Sequence, residues 1–274
     1  MRHEERAPLS FLPPRRFFGS ARQVRLTVRR RLKSRRFLDK ETAFPEIVDF
    51  PRGNVVYFIR GIISDILKAA RSDDMLKEKI GEARAEEEGI KNVVFERETL
   101  SEEDVSEIEF ENARFKKCRF EKCDFSKTSF YKTEFLNCIF LECIFSEGYF
   151  RDCRFVVCRG DGSNFCESVF KNCVFSEGSF AGADFSKSLW ETCTLADSFF
   201  KGAAFPEVRF KKMTLRKVDF CGADFFRTPL KDMDLSDCKI EKIILSDTFR
   251  ELKGASVNPL QAAELVRLLG VKVV

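Results

Sequence analysis

Residues 110–150 read FENARFKKCRFEKCDFSKTSFYKTEFLNCIFLECIFSEGYF, with a phenylalanine at every fifth position. Carried on to Leu245, the same spacing covers 28 positions, which hold 20 Phe, five Leu, Trp190, Ile240 and Gly160. A helix repeats its buried face every 3.6 residues and a strand every 2, so a sustained period of five fits neither. The backbone must turn a corner after each apolar residue. Self-similarity of this kind marks a solenoid, in which no unit buries its own face and stacking on neighbours supplies the core.

A second column supports this reading. Two residues before most of the large positions stands a small one, as at Ala113, Cys118, Cys123, Thr128, Thr133, Cys138 and Cys143. With both columns inward, large side chains stack on large ones and small ones fill the tighter gap, as close packing requires. The other three positions of each five carry almost all the charge and face water.

This pattern, with segments such as FENARF (110–115), AGADF (181–185) and CGADF (221–225), resembles the pentapeptide-repeat proteins. The resemblance implies an all-β solenoid: a right-handed quadrilateral β-helix of about seven coils, four pentapeptides to the coil. At the ~4.8 Å spacing of hydrogen-bonded strands it would run roughly 34 Å. The expected organisation is a basic arm and linker (1–54), an amphipathic helical segment (55–89), an irregular N-terminal capping coil (90–109), the β-helix (110–249) and a C-terminal helix (250–274).

The 274 residues include eleven cysteines and one histidine, His3. Nine cysteines stand in the small column; no C-x-x-C or Cys/His cluster of zinc spacing occurs. They read as small hydrophobes in a reducing compartment, so no metal and no cofactor is expected, and a cytoplasmic location is the default. No apolar stretch approaches the ~20 residues of a membrane span.

Charge is unevenly spread. Residues 1–36 hold 12 Lys or Arg against two Glu, whereas residues 37–109 hold 10 basic against 19 acidic. The first segment, with Arg25, Arg29, Arg30, Arg31, Arg35 and Arg36, reads as a basic arm for nucleic acid, acidic lipid or an acidic partner. An organelle-targeting segment, a solvated tail or translation from an upstream start are the other readings. Val56, Ile59, Ile63, Ile66, Leu67 and Ala70 recur at helical spacing, and such a helix suits the open N-terminal end of the solenoid.

At the other end the chain leaves the repeat at Arg250. Asn258 and Pro259 are placed to start a helix that Gly270 stops. Its Leu260, Ala263, Leu265, Val266, Leu268 and Leu269 are too many apolar residues for a solvated helix, so a cap and homodimer contact is expected. This tail resembles that of quinolone-resistance (Qnr-type) and mycobacterial MfpA members of the family. That resemblance implies a dimer that binds or protects a type II topoisomerase, DNA gyrase, by imitating duplex DNA. However, residues 110–250 hold 23 basic and 21 acidic residues, too balanced for a DNA-like field.

Gly160 is the one empty large slot and reads either as a kink where a partner approaches or as an irregular turn. Outward apolar residues Leu136, Ile139, Leu141, Ile144, Tyr149, Val169 and Leu189 form a candidate partner surface. Asp124, Asp184 and Asp224 recur forty or sixty residues apart in one outward column and suggest a diluted acidic face. With no nucleophile and base pairing, phosphate loop or metal constellation, the chain reads as a non-catalytic protein-interaction module; a structural scaffold and a nucleic-acid binder acting through the arm are the alternatives.

Overall fold

The computed structural model describes residues 75–268 and 270–272; the basic arm, residues 55–74 of the expected amphipathic segment, and Leu269 lie outside the described residues. Within them each apolar position pairs in parallel with the one twenty residues on: Ile90 with Phe110, Phe110 with Phe130, Phe150 with Phe170. Two faces are seven-stranded ladders. The first runs from Ile90–Lys91 to Arg209–Lys211 and the second from Val94–Glu96 to Thr214–Arg216. A third face has three strands, Thr99–Ser101, Arg119–Glu121 and Ile139–Leu141, and continues through isolated bridges to Lys239. The fourth is built from isolated bridges alone, from Asp104 to Ile244.

Each five-residue unit has one internal logic. The large residue points inward, its two neighbours point outward, and the residue after those turns the corner in left-handed geometry, as at Asn112 (φ 51°), Lys117 (φ 54°) and Lys132 (φ 48°). Left-handed backbone costs a non-glycine residue about 1–2 kcal/mol. The corner amide is nevertheless held in the ladder: Asn112 N–H donates to the Tyr131 carbonyl at 2.9 Å and Lys117 N–H to the Leu136 carbonyl at 2.9 Å. One glycine is placed at this position in each of four successive coils, Gly162, Gly182, Gly202 and Gly222, all with φ between 61° and 71°.

The ladder spacing of ~4.8 Å brings aromatic side chains of successive coils face to face. Phe155 stacks on Phe175 with centroids 4.4 Å apart and planes 9° from parallel, and Phe145 on Phe165 at 4.7 Å and 3°. Rings on adjacent faces of one coil meet edge to face instead, as Phe175 and Phe180 do at 5.2 Å and 75°. Both geometries suit the ring quadrupole. Trp190 joins the first-face column by stacking on Phe170 at 4.2 Å.

Both ends are closed, and each differs in detail from the sequence expectation. Residues 90–109 pair in full register, so the irregularity expected of them is confined to the small column, where Glu98 is buried and Glu103 half-buried. Helix α1 (Met75–Glu86) answers both carboxylates: the Leu76 amide faces Glu98 at 3.5 Å and the Lys77 ammonium pairs with Glu103. Its buried Leu76 and Ile80 belong to the core, and the helix meets the first strand, Ile90–Lys91. At the far end the repeat does not stop at Arg250. A 3-10 turn, Arg250–Leu252, takes up two extra residues, after which the chain pairs again: Asp232 N–H to the Gly254 carbonyl and Leu235 N–H to the Ser256 carbonyl. The register there is 22 rather than 20, as in the pairing of Asp234 with Ser256, which the five-residue period could not reveal.

Phe175 is fully buried and touches five other rings. Phe175→Ala should therefore cost about 3–5 kcal/mol in denaturant unfolding. A cost near zero would mean that the coil stack does not depend on its ring columns.

Candidate functional site

The residue types that ordinarily carry chemistry are largely used by the fold itself. Cys138 Sγ donates to the Phe115 carbonyl one coil below at 3.4 Å, Cys158 to Phe135 at 3.2 Å and Cys173 to Phe150 at 3.4 Å. Thr128 and Ser168 make the same bond to Val105 (2.9 Å) and Phe145 (2.7 Å). The small column thus satisfies carbonyls that face the core, and buried polar groups require such partners. All eleven cysteines are free thiols, and nine are buried. Burial pushes the Cys238 thiol up to about 11, away from the reactive thiolate. The partly exposed Cys221 is raised to about 12 by burial, by its hydrogen bond to Glu241 and by Asp219. No grouping of three or more metal-binding side chains occurs among the described residues.

The acidic column on the fourth face has an equally local explanation. Asp124 Oδ1 accepts from Ser126 N–H at 2.8 Å, Asp184 from Ser186 N–H at 2.8 Å and Asp224 from Phe226 N–H at 2.8 Å. These are turns in which a side chain substitutes for backbone, the ordinary use of aspartate at such a position. Asp219 is buried on the third face; burial works to raise its carboxyl, but hydrogen bonds from Cys221 and Lys201 outweigh it and hold the group below its ordinary value.

The apolar surface expected from the sequence is distributed over all four faces. Tyr149, Val169 and Leu189 form one continuous column on the first face, where Lys171 lies over the Tyr149 ring at 5.7 Å. Leu136 stands on the second face, Ile139 and Leu141 on the third and Ile144 on the fourth, between Asp124 and Asn164. Counting residues along the chain placed them together; four corners per coil separate them. Val156 and Val157, which the sequence also places with this apolar strip, stand beside Leu136, Val156 on the second face and Val157 at the second corner of its coil.

Gly160 marks neither a kink nor an irregular turn. Its amide donates to the Ser179 carbonyl at 2.8 Å, within the regular ladder. A methyl group placed on it would lie 2.7 Å from Cδ1 of Phe180, so the ring from the next coil occupies the vacated space. Phe180 thereby also meets Phe155 and Phe165 edge-on, each at 6.2 Å.

Helix α2 (Pro259–Leu268) is fastened to the last coil by polar contacts. Asn258 Oδ1 accepts from Gln261 N–H at 2.9 Å while Gln261 Oε1 accepts from Asn258 N–H at 2.8 Å, a reciprocal capping box. The Gln261 amide nitrogen then donates to the Leu235 and Cys238 carbonyls, both at 2.7 Å. Leu265 packs against the core, Ala263 and Val266 are half-buried, and Leu260 (81% exposed) and Leu268 (44%) face outward.

Four five-residue faces to the coil, with large and small residues alternating inward, are thus seen directly. Residues 132–203 match the family model described as a pentapeptide repeat region, and residues 108–146 the model for pentapeptide repeats in eight copies. Residues 108–203 therefore carry pentapeptide repeats. Among solved structures, a trypsin-treated variant of QnrB1, a plasmid-mediated fluoroquinolone resistance protein, is 20% identical; the match covers 68% of this chain and 99% of that one at a TM-score of 0.45. Full-length QnrB1 is 18% identical, with coverage of 66% and 100% and a TM-score of 0.33. HetL, a pentapeptide-repeat protein involved in heterocyst differentiation regulation from the cyanobacterium Nostoc sp. strain PCC 7120, is 12% identical, with coverage of 64% and 94% and a TM-score of 0.26. No curated protein sequence matches the chain. Among the described residues no helix is long and apolar enough to cross a membrane.

Two outcomes follow from this geometry. Gly160→Ala drives a methyl group into Phe180 and should destabilise by about 1–3 kcal/mol, with part recovered when Phe180→Leu is added. A neutral Gly160→Ala would show that the ring does not fill the slot. At the other end of the stack, hydrogen bonds from Arg84 and Ser106 hold the Asp104 carboxyl down at about 2. An unfolded aspartate titrates at roughly 3.9, so this support for α1 is complete above that value and lost as pH falls toward the folded one. Amide exchange in α1 should quicken across that window, and less so in Asp104→Asn. Identical pH profiles for the two would contradict the assignment.

Proposed function

We propose that this protein is a non-catalytic docking module that works as a homodimer in a reducing, cytoplasmic setting and presents its coil faces to a protein partner. One observation carries the reading. Thiols, hydroxyls and the aspartates of the fourth face are spent on backbone carbonyls and turns, while apolar side chains remain on the surface at places the core does not need. Leu260 and Leu268 on α2 favour pairing of two copies through the C-terminal end, because a helix with one apolar side packed inward still exposes two leucines. The resemblance of this tail to Qnr-type and MfpA proteins makes a type II topoisomerase the partner to examine first. Contact would be made through shape and apolar groups; the near-neutral balance of residues 110–250 does not supply the negative field of a DNA mimic.

A supercoiling assay with purified DNA gyrase, with and without a fluoroquinolone, tests the partner: inhibition or drug protection at micromolar protein supports it, and no effect removes gyrase from the reading. Light scattering on the full chain tests the dimer. A dimeric mass that becomes monomeric in Leu260→Glu is expected; a monomer at micromolar concentration would overturn that assignment.

A further inference from the structure

The corner between the second and third faces departs from every other corner of the stack. Throughout the five-residue count of the described coils the left-handed position is filled by glycine or by polar and charged residues, with one exception, Val157 (φ 56°). Thr192 is the other β-branched corner residue, and its hydroxyl keeps it polar. A β-branched side chain is among the worst suited to this backbone region. At Val157 the backbone turns the corner as elsewhere, its amide donating to the Ser176 carbonyl at 2.9 Å, but the valine side chain gains no packing, because it is 45% exposed and stands outside the core. Strain kept without a packing return points to a contact made elsewhere.

Its surroundings specify the contact. Val156, the last residue of the strand before it, pairs with Leu136 one coil earlier, and Ile139 opens the third face just past the corner of that earlier coil. With rungs ~4.8 Å apart, Leu136 and Val156 stack on the second face, Val157 takes the corner above Asn137, and Ile139 opens the third face, so four aliphatic side chains border one corner. The rim is basic. Lys116 lies one rung below Leu136 in the same column, and Lys117 is the corner residue of that rung. Arg154 begins the strand that holds Val156. None of these three cations has an ion pair among the described residues. Arg119 and Arg159 flank Ile139 on the third face, each paired with a half-buried neighbour two residues away, Glu121 at 3.6 Å and Asp161 at 3.2 Å. On the second face Glu134 is already held by Arg114. Along the corner itself carboxylates appear only on the C-terminal side, at Glu177, Asp197 and Asp237.

We propose that this corner, formed by Leu136, Ile139, Val156 and Val157 with Lys116 and Lys117 at its rim, is a docking site for an acidic peptide segment bearing apolar side chains. The proposal rests on the reading of the protein as a docking module and adds the chemistry of one partner. Apolar side chains of the segment cover the patch while its carboxylates meet the unpaired lysines, the positive side meeting the negative as in steered interfaces. A single-stranded nucleic acid fits less well, because the patch has no aromatic ring on which bases could stack.

The probe is a short fluorescein-labelled peptide alternating glutamate and leucine, titrated with the full chain. Saturable binding is expected, weaker in high salt, and absent for the peptide with lysine in place of glutamate. Val157→Asp and Lys117→Glu should each weaken it by on the order of tenfold, as loss of a central contact or a charge pair does. Val157→Asn separates contact from folding: asparagine tolerates left-handed backbone, so the melting temperature should rise while peptide affinity falls. Failure to bind, affinity indifferent to Val157 and Lys117 (as binding by the basic arm would be), or equal binding of a short thymidine oligonucleotide that competes with the peptide would each overturn the proposal. None of those results touches the gyrase and light-scattering readouts, which test the underlying reading separately.

Discussion

Everything in this protein depends on one side chain resting on its equivalent one coil away. Parallel ladders fix neighbouring coils at about 4.8 Å, and stacked phenylalanines prefer nearly that separation. The two requirements reinforce each other: a residue added to or lost from a unit would break both the ladder and the ring columns. Tolerance is therefore local. Trp190 replaces a phenylalanine by stacking on Phe170, and Gly160 removes a ring whose volume Phe180 takes up. Neither alters the register of twenty.

The same constraint decides what chemistry is left over. At Phe115, Phe135 and Phe145 the carbonyl of the large residue is met by a thiol or hydroxyl from the next coil. Cysteine, serine and threonine suit that position because they are small and can donate. Aspartate at the fourth face locks its own turn. What remains available to a partner is the outward pair on each face, the corners, and the two capped ends.

The core was legible in the sequence, because a period of five sustained across 28 positions admits one buried column, and the register of twenty followed from the four-units-to-the-coil architecture that the resemblance to pentapeptide-repeat proteins implies. The role of the cysteines was half legible: smallness could be read, the bond to the carbonyl below could not. Surface geometry was harder. Leu136, Ile139, Leu141 and Ile144 are close in sequence yet look out from three different faces, since each corner changes direction. The pairing of Ser256 with Asp234 lay beyond the period because two inserted residues shift it. The sequence placed Val157 in the apolar strip, but its left-handed backbone, which sets it apart from the lysines, glutamates and asparagines at equivalent corners, could not be read there.

These observations describe a solenoid of five-residue repeats whose reactive groups serve the fold, leaving shape, apolar corners and ends open to a partner. The most direct test of that central claim is a thiol titration of the native full chain with a chromogenic aryl disulfide, before and after denaturation. Eleven thiols should react in denaturant, but at most Cys166 and Cys221 without it, and those slowly, because the other nine are buried. Rapid native reaction of more than two would contradict the account, since it would mean that the small column is open to solvent rather than bonded to the coil beneath.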